Sequence, residues 1–151
     1  MKKIRVGVIG LGFIGKQHVE ALRRLPYIEI VAGSDSNLSM REWCEKNGIQ
    51  KYYSDYKEML TNENMDVVHN CTPNNFHYEV SCEILKTGCH VYSEKPLTIK
   101  SVEGESLIEL ADKKGLKTAV NFNYRNNLMV QEIQQRIQNG RMGMISLPEY
   151  G

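Results

Sequence analysis

Three glycines and one aspartate carry the first chemical signal in this chain. Gly10-x-Gly12-x-x-Gly15 follows the apolar, β-branched run that begins at Ile4, and a helical pattern follows the glycines. Strand, glycine turn and helix start, in that order, build an anion site. Gly10 permits the tight turn, Gly12 lets the backbone approach a pyrophosphate, and Gly15 lets helix and strand pack closely. Phe13 and Ile14 lie inside the turn, where the first free N–H groups of the helix point at the phosphates. Asp35 stands 20 residues after Gly15, at the end of the next apolar run. An acidic group there accepts the ribose hydroxyls of a dinucleotide and repels a 2′-phosphate, which favours NAD while leaving NADP open. Ser34, Ser36, Asn37 and Arg41 are the neighbours that would suit a phosphate.

The bulk composition narrows the class. The chain has 151 residues, the size of one domain, and a formal net charge of +1 from 19 basic and 18 acidic groups. It has no basic run, so nucleic acid is not implied. The four cysteines form no Cys-x-x-Cys pair, no metal cluster is suggested, and reduced thiols are expected, with Cys71 a small core residue. No apolar stretch approaches a membrane span, and the start Met1-Lys2-Lys3 lacks the rest of a signal peptide. A cytoplasmic location is expected.

The elements that must hold the glycines and Asp35 alternate in type. After the first helix, with Ile14, Ala21, Leu22 and Leu25 on one face, strand patterns occur at 28–32, 51–53, 66–71, 90–93 and 117–122. Between them, helical patterns occupy 38–47, a short piece after Asp55, a segment marked by Phe76, Val80, Ile84 and Leu85, and one capped by Ser101 that turns Leu107, Leu110 and Ala111 inward. A last helix carries Val130, Ile133 and Ile137 and ends at Gly140. The alternation predicts an α/β, doubly wound, mostly parallel Rossmann sheet with helices on both faces and strand order 3-2-1-4-5-6. Thr72-Pro73-Asn74 falls at the end of the fourth strand, beside the crevice. It fits a cofactor wall and equally a plain turn capped by Asn74 or Asn75.

Four blocks in order, Gly10-Leu-Gly-Phe-Ile-Gly15, Cys71-Thr-Pro-Asn-Asn-Phe-His77, Glu94-Lys-Pro-Leu97 and Asn121-Phe-Asn-Tyr-Arg125, resemble the N-terminal half of the Gfo/Idh/MocA oxidoreductases. The resemblance implies a Rossmann domain at 1–125, then at 126–151 a closing helix and the approach to a second α/β domain that this chain lacks. It implies that Lys95 lies beside the nicotinamide and the reacting hydroxyl. Near the cationic ring its ammonium form is disfavoured, which makes it a proton acceptor or a relay to a histidine. Glu94 would accept from ribose hydroxyls, with a surface ion pair as its plainer role. Arg125 would hold the nicotinamide end. His77 and His18 are expected as structural residues.

The resemblance therefore implies an NAD- or NADP-dependent dehydrogenase. It would pass hydride between the cofactor and a hydroxyl carbon of a sugar, cyclic polyol or related small molecule. The other reading is a dinucleotide-binding or sensing module, or a fragment, without turnover. The chain alone is expected to bind dinucleotide without catalysis, and its uncovered crevice is expected to favour weak self-association.

Overall fold

The computed structural model describes residues 2–143. Six parallel strands form one sheet in the order β3-β2-β1-β4-β5-β6, as the alternation predicts. They are β1 (Ile4–Ile9), β2 (Ile28–Ser34), β3 (Tyr52–Tyr53), β4 (Val67–Asn70), β5 (His90–Ser93) and β6 (Thr118–Val120). Six helices intervene or follow: α1 (Phe13–Arg23), α2 (Met40–Lys46), α3 (Tyr56–Asn62), α4 (His77–Lys86), α5 (Ser101–Lys114) and α6 (Leu128–Gln138). The chain divides into two compact units, one running to Asn121 and one from Phe122 that contains α6. No helix among the described residues is long and apolar enough to cross a membrane.

The sheet is covered on both faces, as parallel strands require. Val6, Val8, Leu11, Val19, Leu22, Cys44 and Ile49 form one apolar cluster with contributions from α1 and α2. Ile9, Met59, Val68, Val80, Ile84, Val91 and Leu107 form the other, drawing on α3, α4 and α5. Each buried aliphatic side chain contributes about 1.5–3 kcal/mol. Gly115 ends α5 in the left-handed conformation, with φ 66°, where Lys113 and Lys114 complement the negative helix end.

Four local expectations are corrected. The buried face of α1 is Gly15, His18, Val19 and Leu22, while Ile14, Ala21 and Leu25 are exposed. The helix packs through a glycine and a histidine, so apolarity misidentified its inner face. Phe76 sits exposed in a short 3₁₀ turn, Asn74–Phe76, ahead of α4. Ser101 is the first residue of α5 and Lys100 is its cap, reached by the Glu103 carboxylate. β4 stops at Asn70, so Cys71 falls just past the strand, partly buried and packed against the first apolar cluster. Of the segment 141–151, read as the approach to another domain, residues 144–151 lie outside the described residues.

Strand register decides which residues meet. Ile9 lies opposite both Ser34 and Asn70, Asn70 opposite Ser93, and Ser93 opposite Val120. The first residues beyond β1, β2, β4, β5 and β6 are therefore Gly10, Asp35, Cys71, Glu94 and Asn121, in one row along the carboxyl edge. The strand order reverses at β1, so the crevice opens between the ends of β1 and β4, the place where such sheets bind ligands.

Candidate functional site

A cleft of about 760 Å³ lies over that edge, lined by Gly10, Gly12, Phe13, Ile14, Asp35, Cys71, Thr72 and Pro73 among others. Gly10 has φ 85°, a conformation glycine tolerates, and an added Cβ there would meet the Cys71 carbonyl at 2.6 Å. Gly15 packs against the turn itself: a Cβ would stand 1.8 Å from the Gly10 carbonyl oxygen. Gly12 differs, because a Cβ there meets nothing within 4 Å. Its missing side chain leaves open space beside the start of α1, where backbone N–H groups lack helical partners. An anionic pyrophosphate fits that cradle in size and charge.

Asp35 is fixed rather than free. Its Oδ2 accepts from the Leu11 N–H at 2.6 Å and its Oδ1 from the Asn37 N–H at 2.8 Å. The Tyr52 hydroxyl donates its one proton to the Asp35 backbone carbonyl at 2.5 Å and lies 3.1 Å from that of Asn37, closing the loop between β2 and α2. Arg41 stacks over the Tyr52 ring at 5.2 Å. The carboxylate is thus held at the end of β2 by backbone on two sides.

The end of β4 is braced by Asn70, which is fully buried. Its Oδ1 accepts from the Thr72 hydroxyl at 2.7 Å, and its Nδ2 donates to the His77 carbonyl and the Ser81 hydroxyl. Neither Asn74 nor Asn75 caps a helix, and Asn74 is exposed.

Glu94 points inward. Its Oε1 lies 2.9 Å from His18 Nε2 and accepts from Asn121 Nδ2 at 2.6 Å, while Oε2 accepts from the Lys95 N–H at 3.2 Å. Burial pushes its carboxyl up, but the bonds from Asn121, His18 and the Lys95 backbone outweigh burial and hold it below the usual carboxylate range. His18 reaches on to His69, Nδ1 to Nδ1, at 2.8 Å, and the His69 ring stacks on Tyr92 with centroids 4.7 Å apart. Burial, with the adjacent His18 ring, drives His69 down to about 3, so it is neutral at ordinary pH. The Glu94 carboxylate is the bonded centre of a buried network.

Lys95, by contrast, is exposed, and no hydrogen bond or ion pair engages its ammonium among the described residues. The network below fixes its backbone while its side chain stays available. His77 is fully buried, with its ring between the carbonyls of Thr72 and Pro96. Arg125 lies in the short helix Asn123–Asn126 of the second unit.

Sequence reading missed Leu11, Tyr52, Asn70, His69 and Asn121. Asn121 and Asn70 had a usable signal, a polar residue at or just past the carboxyl end of a strand. Tyr52 and His69 are ordinary strand residues whose roles depend on packing.

Residues 4–122 match the model of the Gfo/Idh/MocA family, described as an oxidoreductase family with an NAD-binding Rossmann fold. The chain belongs to this family. It is an NAD-binding domain of the oxidoreductase class. It is 35% identical over 144 residues to the D-glucoside 3-dehydrogenase of Escherichia coli K12, covering 94% of this chain and 41% of that protein. It is 33% identical over 141 residues to the myo-inositol 2-dehydrogenase of Thermotoga maritima, covering 93% and 42%. The WlbA dehydrogenase of Bordetella pertussis, solved in complex with NADH and UDP-GlcNAcA, superimposes with a TM-score of 0.86 at 29% identity, covering 95% of this chain and 42% of that one. The chain thus spans about two-fifths of the length of the curated Gfo/Idh/MocA relatives it matches.

Proposed function

We propose that this domain is the cofactor half of a dehydrogenase that moves hydride between NAD and a hydroxyl-bearing carbon of a sugar, cyclic polyol or related small molecule. The observation that carries this reading is Lys95: an exposed side chain just beyond β5 that pairs with no group among the described residues, on a backbone anchored by the Glu94 carboxylate. The names of the two relatives, a glucoside and an inositol dehydrogenase, support the substrate class.

NAD supplies the hydride acceptor when bound. Gly10, Gly12, Phe13, Ile14 and Gly15 cradle its pyrophosphate. Asp35 accepts from the adenosine ribose, and its fixed negative charge favours NAD over NADP. Thr72, Pro73 and Asn74 form the wall at the end of β4. Glu94 anchors the Lys95 backbone from within the buried network. Lys95, as the neutral amine, would take the hydroxyl proton at Nζ when the hydroxyl carbon gives up hydride.

In the dehydrogenase that carries this domain, Lys95→Ala is expected to leave NAD affinity within a few fold and lower turnover by about 10²–10⁴. Steady-state kinetics against a panel of polyols and sugars, with NAD titration of the same variant, checks this. An unchanged rate on any accepted substrate removes Lys95 from the mechanism.

A further inference from the structure

His77 has no part in the mechanism above, yet its ring is wholly enclosed beside the site. It is fully buried at the start of α4. Nδ1 lies 2.6 Å from the Pro96 carbonyl oxygen and Nε2 lies 2.7 Å from the Thr72 carbonyl oxygen. Both partners only accept. A neutral imidazole carries one N–H, so it satisfies one carbonyl and turns a lone pair on the other; only the ring with both nitrogens protonated donates to both. The bonded groups around it are uncharged: the two carbonyls, and Asn70, whose Nδ2 donates to the His77 carbonyl at 3.0 Å.

The two carbonyls belong to the two loops that matter most. Thr72 begins the turn at the end of β4 that lines the cleft. Pro96 follows Lys95 directly. These segments are 24 residues apart in sequence, and His77 bonds both. We infer that His77 is a positioning residue: its ring, protonated on both nitrogens, clamps the Thr72 turn to the Lys95–Pro96 loop and sets the distance between the cofactor wall and the Lys95 ammonium. This rests on the reading of those two loops as parts of one site. Hydrogen bonds from a charged donor are among the stronger ones in proteins, so losing one loosens the site measurably.

The test has two arms on the 151-residue chain. A ¹⁵N spectrum of the His77 ring at pH 7 is expected to show two protonated nitrogens; one protonated and one bare nitrogen overturns the clamp. Titration with NAD is then expected to give about tenfold weaker binding for His77→Gln, which keeps at most one of the two bonds. Amide exchange at Thr72 and Lys95 should accelerate while the β1 amides keep their protection. Equal NAD affinity and equal exchange in His77→Gln overturn the proposal. Should that variant fail to fold, the spectrum of the unsubstituted chain still decides. If the unsubstituted chain does not bind NAD, the site reading falls, and the ring spectrum judges the clamp separately.

Discussion

Gly12→Ala is expected to fold as well as the unsubstituted chain and to lose NAD, whereas Gly15→Ala is expected to damage the fold itself. The contrast comes from where each methyl goes. At Gly12 φ is −65°, which alanine adopts freely, and the new Cβ meets no protein atom within 4 Å. Alanine stiffens the unfolded chain but is the poorer helix cap, so stability should stay within about 1 kcal/mol. The methyl does, however, fill the space needed for the backbone to approach a pyrophosphate. Affinity for NAD should fall on the order of 100-fold, equivalent to about 2.7 kcal/mol.

At Gly15 the methyl would sit 1.8 Å from the Gly10 carbonyl oxygen, which is backbone. Gly10 has little freedom to retreat. Its N–H is bonded to the Ser34 carbonyl at 2.8 Å, and its other side is closed by the Cys71 carbonyl. Relief requires α1 to move off the sheet and take Val19 and Leu22 with it. Overpacking of this severity costs about 3 kcal/mol, which for a domain of this size lowers Tm by roughly 6–12 °C. Thermal unfolding and NAD titration of both variants separate the two effects. Equal destabilisation by the two substitutions would show that the cradle and the packing are not distinct.

Acid is expected to destabilise the domain well above the carboxylate range, and His69 is the reason. The unfolded chain binds a proton at His69 near pH 6.5, while burial keeps the folded ring neutral down to about 3. Between those values the unfolded state holds one more proton than the folded state. Stability therefore falls as pH drops, by about 1.4 kcal/mol per pH unit, or about 2 kcal/mol between pH 8 and pH 5. Glu94 and Glu63 act in the same direction but lower, since their folded carboxyls lie below the usual range and their stabilisation is lost only as pH falls through it. Urea unfolding at pH 8 and pH 5 measures the difference. His69→Gln should remove most of the loss above pH 5. A wild-type chain equally stable at both values would contradict the burial of a neutral His69.

The fold was legible because its signals are local and redundant. Apolar runs, glycine stops and the Gly10–Gly15 turn each point to an alternating α/β chain, and strand order follows from that alternation. The inner face of α1 was not legible. It is built on Gly15 and His18, and His18 is buried only because Glu94 and His69 satisfy it from two other strands. Asp35 and the glycines were readable as a ribose and phosphate site from spacing alone. The inward turn of Glu94 was not, because its partners Asn121 and His18 lie 27 and 76 residues away. Cys71 misled for a related reason: an apolar strand pattern does not mark where the strand stops and the cleft begins.

Titration of the 151-residue chain with NAD and with NADP tests the central claim most directly. The glycine cradle and the backbone-held Asp35 carboxylate predict saturable binding of NAD, and weaker binding of NADP because its 2′-phosphate meets that fixed negative charge. Tighter binding of NADP at physiological salt would contradict the assignment of Asp35, and binding of neither would contradict the site.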